Sequence, residues 1–205
     1  LGDSLFNQER YTDAEPFFRR ALEVRRKVLG LDNLDTAQSS GDLAITLRNL
    51  KRFDESEQLY RQAIAIREKL LGPGHADVAK SWFRLSRMFD AKGDYAKAAE
   101  ILGHAIELGE KAFGPDDKTV TLWRGERAAE LHDAGDTTAA EPLYRQAIAA
   151  AEAAFPADDL DLATFRQGLA NLLRQTGRPA EAEPLYRLAL AAREKGFGAD
   201  DRRVA

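Results

Sequence analysis

Apolar residues recur along this chain at spacings of three and four, and they predict helices. Val78, Trp82, Leu85, Ser86 and Phe89 fall on one stripe of a helix over about 77–91. Ala98, Leu102, Ala105 and Ile106 make the corresponding stripe of a second helix over about 94–113. The pair then repeats. Phe18, Tyr60, Leu102, Tyr144 and Tyr186 stand at one position, each 42 residues after the last, with no insertion or deletion. Leu29-Gly30, Leu71-Gly72, Phe113-Gly114, Phe155-Pro156 and Phe197-Gly198 form an independent series in the same phase.

Punctuation follows the same period. Asn33, His75, Asp117, Asp159 and Asp201 precede the first helix of a unit; four of them are good N-caps and His75 is the weak one. Gly93, Gly135 and Gly177 mark the turn inside the hairpin, where the earlier units carry Glu9 and Lys51. Gly30, Gly72, Gly114 and Gly198 are expected to end the second helix in the left-handed conformation. Pro16, Pro142 and Pro184 fall a turn inside that helix, so a late start or a bend is expected there.

One amphipathic hairpin cannot bury its own stripe, so neighbours must stack. Small residues permit the approach: Ala44, Ser86, Ala128 and Ala170 on first helices, and Ala21, Ala63, Ala105, Ala147 and Ala189 on second helices. The expected fold is all-α, a right-handed superhelical solenoid of stacked antiparallel helix hairpins. It forms a single domain over 1–205, with units near 1–34 (partial), 35–76, 77–118, 119–160 and 161–202, and 203–205 entering a further unit.

The small–large order resembles the tetratricopeptide repeat (TPR): Trp82-x2-Leu85-Ser86-x2-Phe89, then Ala98-x3-Leu102-x2-Ala105. The ordinary repeat has about 34 residues, and residues 57–79 of this longer version are similar to the kinesin light chain subclass. That resemblance implies a peptide- or protein-binding scaffold working through a concave groove. Kinesin light chains take cargo peptides containing tryptophan and acidic residues there, often with paired asparagines on the first helix. The matching positions here are Gly41-Asp42, Phe83-Arg84, Gly125-Glu126 and Gln167-Gly168, so the asparagine pair is absent and no motor role is carried over.

The groove face implied by the resemblance carries Arg48 and Asn49 in the second unit, Lys80, Phe83, Arg84 and Arg87 in the third, and Asn171 and Arg174 in the fifth. Arg48, Lys80, Arg84 and Arg87 cluster around an aromatic, which suits a carboxylate-bearing peptide with an apolar anchor. Gly41, Gly125 and Gly168 would leave room for its backbone. The competing reading is a solvated face with local pairs such as Arg87–Asp90. Arg124 and Arg127 interrupt the apolar stripe of the fourth unit. The favoured reading is that Trp123 turns this helix and the arginines pair with Glu126 or Glu130; a ligand-facing pair is the alternative.

Composition narrows the function classes. The chain has 205 residues, 31% charged, a net charge of -4 and no cysteine. Thiol catalysis, disulfides and zinc-thiolate sites are excluded, and no nucleic-acid or membrane partner is expected. His75, His104 and His132 occupy different repeat positions, so no metal site is expected and no cofactor. The acidic pairs Asp116-Asp117, Asp158-Asp159 and Asp200-Asp201 read as caps rather than as acid–base catalysts. The chain starts without Met and is expected to be part of a longer, cytoplasmic protein. A non-catalytic scaffold is the leading function. The alternatives are self-association through exposed helices, or the regulatory arm of an enzyme whose catalytic domain lies elsewhere.

Overall fold

The structure, a computed structural model, describes residues 1–198 and contains ten helices and no strand among them. The capping position at Asp201 and the continuation at 203–205 lie outside the described residues. The chain forms two compact units. The first holds α1 (Gly2–Asn7), α2 (Tyr11–Leu29), α3 (Leu34–Asn49), α4 (Phe53–Leu71), α5 (Ala76–Lys92) and α6 (Tyr95–Phe113). The second, from Gly114 onward, holds α7 (Lys118–Asp133), α8 (Thr137–Ala154), α9 (Leu160–Gln175) and α10 (Pro179–Phe197). Odd and even helices pair as hairpins, and α2–α3, α4–α5 and α8–α9 join one hairpin to the next.

Caps set where first helices begin. Asn33 Oδ1 accepts from the Asp35 N–H at 2.8 Å, Asp117 Oδ1 from Thr119 at 2.7 Å, and Asp159 Oδ1 from Asp161 and Leu162 at 2.9 and 3.1 Å. His75 does the same work through Nδ1, which accepts from the Asp77 N–H at 3.1 Å. An imidazole nitrogen with a free lone pair therefore suffices where a carboxylate or amide was expected.

Burial on first helices is broader than one stripe. In α5, Ala79, Ser81 and Met88 are buried beside Val78, Leu85, Ser86 and Phe89, because α5 lies between α4 and α6. Trp82 is half-buried, its Nε1–H donating to Glu68 at 3.1 Å and its ring edge-on to His104 at 4.7 Å. The small residues behave as the stacking argument requires, with Ala44, Ala63, Ala105, Ala128, Ala147 and Ala170 at 1% exposure or less. Ala21 is the exception and is exposed. Its hairpin partner α1 has only six residues, and Gly2 reaches no further than Phe17 and Phe18.

Two backbone expectations are corrected. α2, α8 and α10 start five residues before Pro16, Pro142 and Pro184, so the helices do not begin late. Each ring removes a bond to a carbonyl in the first turn (Thr12, Thr138 or Ala180), and those residues and the prolines are exposed, so water can serve that oxygen. The glycines that end second helices are also not in the left-handed helical region. Gly30, Gly72 and Gly198 have φ of 84–89° but ψ of 146–178°, an extended mirror conformation open in practice only to glycine.

The left-handed helical region is used inside the hairpin, at Gly93 (φ 83°, ψ 11°). In the first two hairpins Glu9 and Lys51 adopt φ 59° at this position, a geometry that costs a side-chain-bearing residue about 1–2 kcal/mol. Lys51→Gly is therefore expected to raise unfolding free energy by about 0.5–1 kcal/mol after the extra entropy of glycine in the unfolded chain is deducted. Urea denaturation checks this, and an unchanged midpoint would show that contacts of Lys51 offset the strain.

Candidate functional site

In the first unit, α3 and α5 touch, and their caps place the polar residues of both helices in matching register. Arg84 is the central cation. It is half-buried and forms no hydrogen bond or ion pair among the described residues. Its Nη1 is the nearest group to the space a Gly41 Cβ would take, at 4.0 Å. Across from it, Asp42 accepts from Gln38 Nε2 at 2.7 Å. Burial raises the Asp42 carboxyl above its ordinary range, against the opposing pull of Gln38 and Arg84. Tyr60, 1% exposed, reaches this joint from α4, and its hydroxyl has no hydrogen-bond partner. Its pKa is pushed up to about 12 by burial, with Arg48 and Arg84 acting in the opposite direction.

The other residues expected at the site differ in availability. Arg48 is half-buried, 3.4 Å from Asn49 Oδ1. Phe83 is half-buried, and Arg87 is exposed with Nε 3.9 Å from Asp90. The Lys80 ammonium sits 5.6 Å over the Phe113 ring at the end of α6. Asn171 and Arg174 lie on α9 in the second unit, where Asn171 accepts from Tyr186 Oη at 2.7 Å and Arg174 is exposed.

The expectation that Gly41, Gly125 and Gly168 leave ligand space is overturned at Gly125 and Gly168, while a Cβ on the buried Gly41 would meet nothing nearer than Arg84 Nη1 at 4.0 Å. A Cβ on Gly125 would lie 2.1 Å from the Phe165 ring, and one on Gly168 would lie 2.6 Å from the Tyr144 ring. Protein side chains fill both positions. In the second unit Trp123 is buried and Arg124 donates to the Pro115 carbonyl at 2.9 Å.

One group of residues was missed. Arg25, Arg67 and Arg193 stand at one repeat position, shared with Gly109 and Ala151. Arg25 and Arg67 donate to Ser39 and Ser81 at 2.5 and 2.9 Å. Where the arginine is Ala151, the residue opposite is the bulky Phe165 in place of serine. The 42-residue period exposed this series, but a lone arginine on an apolar helix face reads as surface until its neighbours are known.

Among the described residues no three histidine or acidic side chains converge on a metal position, and no helix is long and apolar enough to cross a membrane. Residues 1–69, 41–111 and 118–195 match the sequence pattern described as the tetratricopeptide repeat. The chain belongs to the tetratricopeptide repeat family. No curated protein sequence matches it.

Solved TPR structures agree with this fold. The nearly identical TPR-like repeats of a Podosopora anserina protein described as a kinesin light chain superpose with a TM-score of 0.83 at 20% identity, covering 96% of this chain and 93% of that one. BtubC (BKLC) from P. vanneervenii gives 0.81 at 19% identity, covering 98% and 80%. The Rap conjugation gene regulator of plasmid pLS20, solved in complex with the Phr* peptide, gives 0.64 at 16% identity, covering 95% of this chain and 52% of the regulator. At these identities the likeness is one of fold.

Proposed function

We propose that this TPR chain is a non-catalytic scaffold that holds an acidic peptide with an apolar anchor across α3 and α5. The observation that carries this reading is the half-buried Arg84 guanidinium, without a hydrogen bond or ion pair, beside Gly41, whose missing side chain leaves Nη1 the nearest group to its Cβ position. A guanidinium presents a planar fork of donors suited to a carboxylate. Arg48, Lys80 and Arg87 add positive charge, and the half-buried Phe83 supplies an apolar neighbour. The peptide-bound Rap regulator is a precedent for peptide capture on a similar fold.

The test is fluorescence anisotropy with a fluorescein-labelled synthetic peptide of Asp and Glu around one Trp. Binding should weaken with salt. Arg84→Ala with Arg48→Ala should weaken it tenfold or more, since each charge-assisted bond contributes about 1.5–3 kcal/mol. Equal affinity for a neutral peptide of the same length, or no effect of the double variant, would sink the reading.

A second reading, self-association, is favoured by Phe17, Val24 and Val28, which leave a stripe of α2 43%, 42% and 72% exposed. Light scattering over a concentration series separates the two, because peptide capture needs no concentration-dependent mass.

A further inference from the structure

Arg67 lies on α4 beneath the face just described and is only 7% exposed. Removing a guanidinium from water is costly unless an anion compensates it. Arg67 has only neutral partners: Nη1 donates to Ser81 Oγ at 2.9 Å and Nη2 to Gln38 Oε1 at 3.1 Å. Asp77 and Asp42 act on it only through space, and burial together with Arg84 lowers its pKa. Arg166, buried to a similar degree at 5% exposure, shows the contrast. Its guanidinium is paired with the Glu152 carboxylate at 2.9 Å and also donates to the Ala157 carbonyl at 3.2 Å.

Gln38 connects Arg67 to the surface. Its residue is exposed, its carboxamide oxygen accepts from Arg67, and its amide nitrogen donates to Asp42. A carboxamide oxygen has the shape of a carboxylate oxygen without the charge. Arg84 lies on the same face with donors uncommitted.

We infer that Arg67 and Arg84 together form the anion subsite of this face, and that the Gln38 carboxamide holds the place of a ligand carboxylate until the peptide displaces it. This rests on the acidic-peptide reading above and adds its anchoring residue. A Glu or Asp side chain of the peptide takes the Gln38 position on Arg67, while Gln38 swings outward on its flexible stem. The charge that burial leaves uncompensated on Arg67 is neutralised by the ligand. An acidic peptide is thereby preferred over a neutral one of equal shape, which cannot offset that charge.

The experiment uses the whole chain, the labelled Asp/Glu peptide and its Asn/Gln counterpart, and reads the ratio of their affinities. Wild type should favour the acidic peptide about tenfold or more. Gln38→Glu places a carboxylate of the protein itself on Arg67, in place of the amide that donates to Asp42, so it should lower the ratio severalfold. Arg67→Met should also lower the ratio severalfold, leaving the part of the preference that Arg84 supplies. Gln38→Ser should keep or increase the preference. Circular dichroism confirms folding; should Arg67→Met fail to fold, the exposed Gln38 variants still decide the question. If the acidic peptide binds and Arg84→Ala weakens it while Gln38→Glu leaves the ratio unchanged, the Arg67 subsite is overturned and the acidic-face reading survives. If wild type binds neither peptide, both fall.

Discussion

Phe165→Ala is expected to lower unfolding free energy by about 3–5 kcal/mol, the usual cost of removing a buried aromatic ring. Phe165 is 6% exposed and belongs to the core cluster of the second unit with Tyr144, Leu162 and Leu169. Its ring lies on Gly125, so close that a Cβ there would sit 2.1 Å from it. That geometry yields a paired expectation. Gly125→Ala should destabilise by about 1–3 kcal/mol through overpacking, although alanine is the better helix former.

Gly41 occupies the same repeat position in α3, and there the added methyl meets nothing nearer than Arg84 Nη1 at 4.0 Å. Gly41→Ala should therefore stabilise, by up to about 1 kcal/mol from helix propensity. The opposite signs follow from the facing residue, which is Ser81 in the first unit and Phe165 in the second. Combining Gly125→Ala with Phe165→Ala should cost less than the sum of the two, because the methyl then enters the space left by the ring. Urea denaturation measures all four variants. A Gly125→Ala protein as stable as wild type would show that the Phe165 ring moves aside at little cost.

The period of 42 residues, the hairpin boundaries and the small residues between helices were legible because each depends on local spacing, repeated five times. The capping residues were legible for the same reason, and even the weak candidate, His75, caps. What the sequence concealed depends on partners about 15–40 residues away. Whether Gly125, Gly168 or Gly41 is open is decided by Phe165, Tyr144 and Arg84. Whether Arg67 is solvated or buried is decided by Ser81 and Gln38 on two other helices. The late start expected at the prolines fails for a different reason: an exposed helix edge lets water satisfy a carbonyl that a buried helix would have left unpaired, so the helix runs through the ring. The cationic cluster was legible as composition, but not the fact that Lys80 turns toward Phe113 while Arg84 remains uncommitted.

Leu85→Ala is expected to cost about 2–5 kcal/mol. Leu85 is fully buried among Ala44, Tyr60, Ile64, Met88, Phe89, Ala98 and Ile101, side chains from four helices of the first unit. A cavity there has little freedom to collapse, since the neighbouring alanines allow close helix contact and have no length with which to refill it. Leu85 follows Arg84 directly in α5, yet the two point to different surroundings, one into the core and the other across Gly41. Stability and recognition should therefore separate. At low temperature, where the folded state still dominates, Leu85→Ala should bind the labelled acidic peptide within about twofold of wild type. On warming it should lose apparent affinity earlier, in proportion to the folded fraction. Arg84→Ala should do the reverse, weakening binding at every temperature while its unfolding midpoint stays close to that of wild type. Anisotropy and denaturation on the same two variants test this. A loss of low-temperature affinity in Leu85→Ala as large as that in Arg84→Ala would mean that the joint between α3 and α5 deforms when its core is cut, and that recognition depends on the packing of the joint as much as on its charge.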